Sequence, residues 1–523
     1  MSERIGTMDD LKEILRSEIE EFREKGHSFV NGDMTMMQFK HLSGGFGVYA
    51  HRAGTEFMIR LRIPSGVTDV YELKKVVGFA EKYNVPRIHF TTRQAAQLHG
   101  LSIDEVCDLM EEALDADIYT RGAGGNYPRN VALSPLAGVN PEEPFDSTPY
   151  ALAVGNYFLE RIYTYKLPRK LKVSFSNSNA DGAHCTFQDL GFLAVDDNGK
   201  KAFRIYIGGG IGQNPKKAVI YPELIDVKKV LYYVEAMVKF YMAEGNYENR
   251  ARARVRYILD RMGEEEFLKT YKKYAEEELR GTGLDVELEP RTYTKQGDGS
   301  TVSSPRVYEQ KQEGLYSVYI HPVGGQMPVN TLRELVNLLD KFKDIDIRLA
   351  MTEGIYVRNL TGNEAEMVLK ATESITDDKQ IYHSTSCVGA PICQIGMGNS
   401  QELLASIVSY FKKQNYYKDI LPKVYISGCG NSCSVHQIGA IGFTGRRKKV
   451  NDEMKECFTL FLGGSFSIDN SKMGKSYGEI MKDDIPEFLY QLSKTIEESN
   501  ITFDDFIENH EEELENLINK YIV

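Results

Sequence analysis

Two stretches of this chain match each other without a gap. KVSFSNSNADGAHCTFQDLGFL runs from Lys172 to Leu193, and KVYISGCGNSCSVHQIGAIGFT runs from Lys423 to Thr444, at an offset of 251 residues. Five of the 22 positions are identical, the apolar positions agree, and both copies continue into an F-x4-G-G segment. The pattern predicts an internally duplicated protein.

A second pair of segments repeats at an offset of 259 residues. In the first half, a helical pattern from Leu73 to Tyr83 lies between the extended runs FMIRLRIP and RIHFTT. In the second half, the pattern from Leu332 to Phe342 lies between LYSVYIHP and DIRLAM. Each copy is predicted to be strand, helix, strand, so the fold class is α/β (α+β).

The composition predicts a globular protein of several domains. The chain has 523 residues, 42% hydrophobic and 26% charged, and a domain takes roughly 150 residues. A net charge of -12 argues against a nucleic-acid partner. The first residues lack the apolar run of a signal peptide, and no later stretch approaches the roughly 18 apolar residues of a membrane span. The protein is predicted to be cytoplasmic, without a membrane partner.

The seven cysteines fall into two groups. Cys107, Cys185 and Cys457 are isolated in sequence. The other four form the pairs C-x5-C and C-x3-C: Cys387, Cys393, Cys429 and Cys433. Five intervening residues exceed the spacing of most zinc sites, so an iron-sulfur cluster is favoured, with zinc or four ordinary buried cysteines as alternatives. Ser178 and Gly182 replace the second pair in the first copy, so one half alone is predicted to hold the metal.

Two strand-like segments carry basic residues at every second position. Arg60 and Arg62 alternate with apolar residues in FMIRLRIP, and Lys170 and Lys172 do so in PRKLKVSF. Such pairs are usually the exposed face of a half-buried sheet. Further basic residues in TTRQAAQLHG and PRN enlarge the set of candidates for an anion site.

Together these motifs resemble the sirohaem-containing sulfite and nitrite reductase family. The resemblance rests on the cysteine pairs, G-C-x-N-x-C, T-x-R-Q-x3-L-H-G and P-R-K-x-K, and extends from about Phe57 to about Gly464. It implies a pseudo-two-fold, three-domain fold, and two cofactors, a 4Fe-4S cluster and sirohaem. It also implies an oxidoreductase that passes six electrons to sulfite or nitrite.

The resemblance implies a role for each matching residue. The cluster ligands would be Cys387, Cys393, Cys429 and Cys433, the last also bridging to the sirohaem iron. The residues around the bound oxyanion would be Arg60, Arg129, Lys170 and Lys172. The residues that hold the carboxylates of the macrocycle would be Arg93, Gln97, His99 and Arg169. Asn431 lies in a glycine-rich loop whose amides are predicted to point at a sulfur atom.

The same resemblance divides the chain into five parts. They are an N-terminal helical segment (1–45), two ferredoxin-like half domains (46–118 and 315–376), a first sirohaem-binding repeat (119–280), a linker (281–314) and a second repeat (377–523). The second repeat would hold the metal site and end in a C-terminal helix. The linker is rich in Gly, Pro, Ser and Thr, which is typical of an extended crossing.

The sequence motifs distinguish the substrate and the electron donor less clearly than they indicate the family. Lys172 at the end of P-R-K-x-K favours sulfite, whereas SCSVHQIGAIGFTG is closer to the nitrite branch, so nitrite stays an alternative. No dinucleotide fingerprint is present, so an external ferredoxin, flavodoxin or flavoprotein subunit is expected. The run Arg446–Lys449 is predicted to be a loop, either merely solvated or a docking site for that donor. A non-catalytic iron-sulfur or zinc scaffold is the alternative of a different class.

Overall fold

Three helices open the part of the chain that the structure describes. The structure is a computed structural model that describes residues 8–523, and residues 1–7 of the predicted N-terminal segment lie outside it. The helices are α1 (Met8–Ser17), α2 (Ile19–Val30) and α3 (Met36–Ser43). Thr35 and Gln38 form a capping box that starts α3. The rings of Phe29 and Phe39 stack at 4.5 Å between these helices.

The first small α/β unit follows these helices. Its elements are β1 (Val48–Ala50), β2 (Phe57–Arg62), β3 (Val67–Thr68), α4 (Val70–Lys82), β4 (Arg87–Phe90), β5 (Ala95–Leu101) and α5 (Ile103–Asp115). Ser102 and Glu105 form a capping box at the start of α5. The predicted helix from Leu73 to Tyr83 is therefore α4, with Tyr83 as its last flanking residue.

The first large repeat is a five-stranded mixed sheet with helices. Its elements are β6 (Ala132–Leu133), α6 (Thr148–Glu160), β7 (Val173–Ser176), β8 (Leu190–Asp197), β9 (Lys200–Ile207), β10 (Val219–Asp226), α7 (Val230–Glu244), α8 (Val255–Met262) and α9 (Glu264–Leu279). The strand order is β10-β9-β8-β7-β6, with β6, β7 and β8 parallel. Phe175 of β7 stacks on Phe192 of β8 at 4.6 Å in its core.

The second half of the chain repeats both units. The small unit contains β11 (Val307–Glu309), β12 (Tyr316–Ile320), β13 (Gln326–Pro328), α10 (Val329–Leu339), β14 (Asp346–Leu349), β15 (Ile355–Leu360) and α11 (Gly362–Ala371). The large one contains β16 (Thr385–Ser386), α12 (Ser400–Lys413), β17 (Val424–Ser427), β18 (Ile441–Val450), β19 (Glu453–Leu462), β20 (Lys475–Met481), α13 (Ile485–Ser499), α14 (Phe503–Asn509) and α15 (Glu511–Ile518). Its sheet has the order β16-β17-β18-β19-β20.

Corresponding elements start at constant offsets. β2, α4 and β4 begin 259 residues before β12, α10 and β14, and β7 and β8 begin 251 residues before β17 and β18. The predicted α/β class and internal duplication are confirmed.

Each small sheet is completed by a strand from the other half of the chain. The orders are β1-β2-β5-β4-β13 and β11-β12-β15-β14-β3. Met327 of β13 pairs with Ile88 of β4, and Thr68 of β3 pairs with Ile347 of β14, both antiparallel. The two small units therefore exchange strands, and neither sheet is complete alone.

The predicted strand PRKLKVSF starts later than expected. Lys170 and Lys172 precede β7, and Leu171 between them forms an isolated bridge with Pro128. A proline has no amide hydrogen to donate, so regular pairing does not extend through this point. The two lysines nevertheless lie on an extended segment and keep their alternation.

The predicted loop Arg446–Lys449 is a strand instead. These residues belong to β18, which pairs with β19 along its whole length. Asn451 and Asp452 connect the two strands with positive φ angles of 49° and 66°, which match the twist of a hairpin. The four cations therefore alternate between two faces of a ribbon.

Between α9 and β11 the chain is irregular. Tyr293 in this linker donates its hydroxyl to Asp346 (2.9 Å) and accepts a hydrogen bond from Arg358 (2.6 Å). The crossing is thus fastened to the second small sheet. Within residues 8–523, no helix has the length and apolar character needed to span a bilayer.

Candidate active site and metal centre

Two loops at one sheet edge carry the four paired cysteines. β16 and β17 are parallel neighbours, with Cys387 after the first and Cys429 and Cys433 after the second. The backbone amide of Gly428 donates to Sγ of Cys387 at 3.1 Å, and the hydroxyl of Ser400 lies 3.4 Å from the same sulfur. Donors of this kind stabilise a sulfur ligand that carries negative charge.

Glycines let these loops pack at backbone contact. A Cβ on Gly428 would lie 2.8 Å from the carbonyl oxygen of Gly398 and 2.9 Å from Cα of Gly389. A Cβ on Gly445 would lie 2.6 Å from the carbonyl oxygen of Gly428. These distances are shorter than van der Waals contact, so a larger residue would push the two cysteine loops apart.

Asn431 directs hydrogen bonds at a cysteine sulfur, as its place in the loop predicts. Burial raises the pKa of Cys429, and hydrogen bonds from the backbone and side chain of Asn431 oppose this rise. Burial, and then the nearby Cys433, raises the pKa of Cys387 to about 12. Binding of a metal at these sulfurs has to release their protons.

The four thiols share one edge of the sheet without meeting at a single point. Within the described part of the chain, no three His, Cys, Asp or Glu side chains lie close enough to hold one metal ion. Cys433 is exposed and the other three are partly exposed. Thiolates that each bind a different iron atom need wider spacing than the four donors of one zinc ion. The donor set therefore fits an iron-sulfur cluster.

Arg60 and Arg62 project from one face of β2, as their spacing predicts. Arg60 lies opposite Gln97 of β5. With its amide oxygen turned to the guanidinium, Gln97 accepts from Nη2 (2.6 Å) and Nε (2.9 Å) of Arg60. Nη1 of Arg60 donates to the carbonyl of Ala123 (2.7 Å), and Arg62 donates to the carbonyl of Arg121 (3.0 Å). Both cations are held in fixed positions.

Arg129, Lys170 and Lys172 come together beside them through the Pro128 bridge. Arg129 donates to two backbone carbonyls (3.2 and 2.8 Å), and its buried Nε has no partner within residues 8–523. The half-buried ammonium groups of Lys170 and Lys172 likewise form no hydrogen bond or ion pair with residues 8–523. These donors are free to bind an anion.

Burial and repulsion between like charges disfavour the protonated form of the two lysines in this group. Burial, followed by Arg93 and Arg254, lowers the pKa of Lys172 to about 7. Burial, followed by Lys172, lowers the pKa of Lys170 well below its usual value. The thiolate of Cys433 acts on both lysines in the opposite direction. An anion placed among them would relieve the repulsion, so the group has the electrostatic character of an anion site.

Hydrogen bonds fix the cysteine loops against the first half of the chain. The Thr92 hydroxyl donates to the carbonyl of Cys433 (2.7 Å), and Nε of Arg52 donates to the carbonyl of Cys393 (3.2 Å). The cationic group and the candidate metal centre therefore face each other across the junction between the halves.

The residues expected to hold macrocycle carboxylates lie around the same cleft, and they differ in how many hydrogen bonds they already form. Each nitrogen of the Arg93 guanidinium donates one hydrogen bond, to the carbonyl of Asn130 (2.8 Å), the side chain of Gln188 (3.0 Å) and the carbonyl of Val173 (2.7 Å). Arg169 is half-buried and has only a long contact of 3.5 Å, to Asn126. Gln97 and His99 lie two residues apart on one face of β5.

Two arginines of the site were not predicted. Arg254 forms a buried pair with Asp189 (3.1 and 2.8 Å), whose carboxylate also accepts from the backbone amide of Lys172 (2.8 Å). Arg256 has a buried Nη1 without a partner in residues 8–523. The alternation of arginine with small or apolar residues in RARARVR is the sequence pattern from which these two arginines could have been predicted.

The second half of the chain has no such cationic group at the corresponding place. Tyr319 stands at the position that matches Arg60, and its ring lies 4.7 Å from that of Tyr356. Lys423 matches Lys172, and its Nζ lies 5.1 Å above the Tyr319 ring. Two tilted tyrosine rings and Lys423 occupy this space, so the cationic group is a feature of the first half and the paired cysteines are a feature of the second.

These features define a class of protein. Four thiols suited to an iron-sulfur cluster face unpartnered cations across the junction of a duplicated α/β fold. This is the arrangement of a redox enzyme that acts on a small anion.

Two family models identify the chain further. The nitrite and sulphite reductase 4Fe-4S domain matches residues 124–279 and 378–515, and the nitrite/sulfite reductase ferredoxin-like half domain matches residues 49–116 and 308–375. The chain belongs to the nitrite and sulfite reductase family. It is an oxidoreductase of the sirohaem and 4Fe-4S type, as predicted from its motifs.

Relatives in this family carry two different activities in their names. The assimilatory ferredoxin-dependent nitrite reductase of Haloferax mediterranei is 25% identical over 91% of this chain and 86% of its own length. The sulfite reductase [NADPH] hemoprotein beta-component of Anoxybacillus flavithermus is 27% identical over 86% of this chain and 84% of its own. The NirA protein of Mycobacterium tuberculosis has the same fold, with a TM-score of 0.78, 19% identity, and coverage of 97% and 96%.

Proposed function

We propose that this protein reduces sulfite to sulfide with six electrons, in the cleft between Cys433 and the cationic group. The observation that carries the proposal is the pair of ammonium groups on Lys170 and Lys172, which have no acceptor within residues 8–523. Sulfite carries up to two negative charges and nitrite one. Two free ammoniums beside two arginines therefore favour sulfite.

The cofactor sites are assigned by the chemistry of the donors. The proposed cluster ligands are Cys387, Cys393, Cys429 and Cys433, with Cys433 shared with sirohaem. When bound, these cofactors supply the electrons and the iron atom at which the anion is reduced. The carboxylates of the macrocycle would be held by Arg169, Gln97 and His99, and by the unpartnered Nη1 of Arg256. Arg93, whose three nitrogens each already donate one hydrogen bond, would add its charge.

The cations of the cleft hold the anion and neutralise its charge. Arg60 is fixed by Gln97 and by the carbonyl of Ala123, so its positive charge is already in place before the substrate enters. Arg129 is fixed in the same way by two backbone carbonyls. The cleft thus stabilises negative charge that develops on departing oxygen atoms without having to rearrange.

The lysines supply protons to those oxygen atoms. A pKa of about 7 for Lys172 allows its ammonium to give up a proton and regain one near neutral pH. A bound anion raises this pKa, because the positive form is then stabilised. Lys172 therefore serves both as a charge that binds the substrate and as a general acid.

Nitrite reduction to ammonia is the second candidate. It is favoured by relatives named as ferredoxin-dependent or ferredoxin–nitrite reductases, such as those of Haloferax mediterranei and Synechococcus elongatus. The same relatives favour ferredoxin as electron donor. The Anoxybacillus relative, named as the hemoprotein beta-component of a sulfite reductase [NADPH], favours a flavoprotein partner.

The test is a direct comparison of the two anions on the purified holoenzyme. Electrochemically reduced methyl viologen serves as the donor, because dithionite would release sulfite as it is oxidised, and sulfide and ammonia are measured as products. We expect a kcat/KM for sulfite above that for nitrite. A higher value for nitrite would reverse the assignment, and absence of both products from protein with full cofactor content would overturn it.

A further inference from the structure

A turn in the first half of the chain contacts the loop that carries Cys393. The turn lies between β1 and β2, and two backbone hydrogen bonds close it, from His51 to Glu56 (2.7 Å) and from Gly54 to His51 (3.0 Å). Arg52 is the second residue of this turn. The position of its backbone is therefore set within the first half.

Arg52 donates three hydrogen bonds to the Cys393 loop. Its backbone amide donates to the carbonyl of Ile392 (2.9 Å), and its Nε donates to the carbonyl of Cys393 (3.2 Å). Its Nη2 donates to the carbonyl of Gly396. One residue of the first half thus holds the chain on both sides of a proposed cluster ligand.

Gln394 adds a second link between the loop and the first half. Its side-chain nitrogen lies 2.8 Å from the carbonyl oxygen of Ala50, to which it donates, and 2.9 Å from the sulfur of Met36. Ala50 is the last residue of β1 and directly precedes the turn. Both links therefore involve the same short stretch of the first half.

Burial does little to hold this part of the loop in place. Ile395 and Met397 are 50% and 41% exposed. The amide of Met397 donates to the carbonyl of Gly428 (2.7 Å), which ties the end of the loop to the second half. The middle of the loop, around Cys393, depends on its contacts with the first half.

Arg52 also places a positive charge beside the proposed metal centre. Within residues 8–523 it forms no ion pair, so no carboxylate neutralises this charge. A cluster held by four thiolates is negative, and its reduction adds a further negative charge. A cation that is hydrogen-bonded to the carbonyl of a ligand therefore stabilises the reduced form more than the oxidised form.

We infer that Arg52 is a positioning residue, which holds Cys393 in place for the cluster and raises the reduction potential of that cluster. The inference rests on the proposed function, in which Cys393 is a cluster ligand. A higher potential makes the cluster easier to reduce by an external donor. Arg52 thus favours the entry of electrons.

The test compares Arg52→Gln and Arg52→Lys with the control Arg261→Gln in the holoenzyme. Both Arg52 variants lose the planar fork of the guanidinium, whereas only Arg52→Gln loses the charge. Arg261 is a matched control, because it is exposed and also donates to a backbone carbonyl, that of Glu244 at the end of α7 (2.9 Å).

A redox titration followed by electron paramagnetic resonance measures the potential of the cluster. At a fixed applied potential, we expect Arg52→Gln to lower the ratio of reduced to oxidised cluster about threefold, or about 30 mV at about 59 mV per tenfold. Arg52→Lys and Arg261→Gln should keep the wild-type potential. A wild-type potential in Arg52→Gln, or an equal fall in Arg52→Lys, would overturn the electrostatic role.

Hydrogen exchange tests the positioning role separately. The amides of Cys393 and Gly396 are bonded within the loop, to the carbonyls of Gly389 (2.8 Å) and Cys393 (3.3 Å). We expect the peptide that contains them to exchange about tenfold faster in both Arg52 variants and at the wild-type rate in Arg261→Gln. Wild-type exchange in both Arg52 variants would overturn the positioning role.

Neither measurement depends on turnover. Iron is assayed in each variant, and the potential is read from the fraction that holds a cluster. If the protein reduced neither anion, the proposed function would fail, and the potential and the exchange rates would still decide the role of Arg52.

Discussion

The hydroxyl of Thr92 donates to the backbone carbonyl of Cys433 at 2.7 Å. Thr92 lies next to Arg93 in the turn between β4 and β5, and β5 carries Gln97, which lies opposite Arg60 of β2. One hydrogen bond therefore sets the position of the proposed bridging cysteine relative to the cations of the other half. This contact ties the proposed metal centre to the half of the chain that carries the proposed anion site.

Replacement of the proposed bridging thiolate should abolish turnover. Cys433→Ser removes the sulfur that would be shared between cluster and sirohaem, so we expect loss of sulfite and nitrite reduction and loss of magnetic coupling between the two centres. Cys107→Ser and Cys457→Ser are matched controls, because both thiols are buried and neither belongs to the two loops that carry the paired cysteines. Their cofactor content, measured from iron and visible absorption, should be unchanged. Normal turnover by Cys433→Ser with both cofactors in place would remove the assignment.

Loss of the Lys172 charge should alter the choice of substrate. Lys172→Asn is expected to lower kcat/KM for sulfite about tenfold or more, which is about 1.4 kcal/mol, because a dianion gains more from the second ammonium than a monoanion. Nitrite reduction should hold or rise. Lys423→Asn, at the matching position of the other half, should leave the ratio of the two substrates unchanged. Equal losses on both anions would mean that Lys172 does not discriminate.

A methyl group on Gly428 should disrupt the metal centre. The added Cβ would meet the carbonyl of Gly398 and Cα of Gly389 at 2.8 and 2.9 Å, a strain of about 1–3 kcal/mol that pushes the cysteine loops apart. Gly428→Ala should therefore lose most of its iron and acid-labile sulfide during purification. Gly78→Ala is the control, since no atom lies within 4 Å of its new Cβ and a helical position gains about 0.5–1 kcal/mol. Full iron content in Gly428→Ala would contradict the packing argument.

The basic ribbon of β18 should guide an acidic electron donor. Arg446 lies near the cysteine loop, with Nη1 3.8 Å from the Cβ position of Gly430, whereas Lys449 pairs with Asp452 at 2.8 Å. Neutralising Arg446–Lys449 should slow reduction by ferredoxin steeply at low salt and leave reduction by methyl viologen unchanged.

The control for this ribbon lies in the first repeat. Lys200→Gln with Lys201→Gln removes charge from the corresponding hairpin of β8 and β9, which belongs to the half without the cysteine pairs. This variant should keep the wild-type rate with ferredoxin. A wild-type rate and salt dependence in the Arg446–Lys449 variant would place the docking site elsewhere.

Much of the fold followed from local patterns. The two offsets located corresponding strands because apolar alternation survives even where only five of 22 residues are identical. The spacing of Arg60 and Arg62 likewise predicted their common face. The roles assigned to the site residues and the division into five parts stay predictions.

Other features had no local signal. β3 has two residues and β13 three, too few for a pattern, so their exchange between sheets could not be predicted. Arg254 acts through a partner, Asp189, that lies 65 residues away in sequence.

The strand exchange has a consequence for synthesis of the chain. β4 of the first small sheet pairs with β13, which is synthesised much later. Roughly 240 residues lie between the two strands, and their synthesis takes about 10–50 s at the usual rate of translation. During this time β4 presents an open edge that another chain could join. The nascent first half is therefore exposed to aggregation, and chaperone binding at this stage would have its greatest effect on yield.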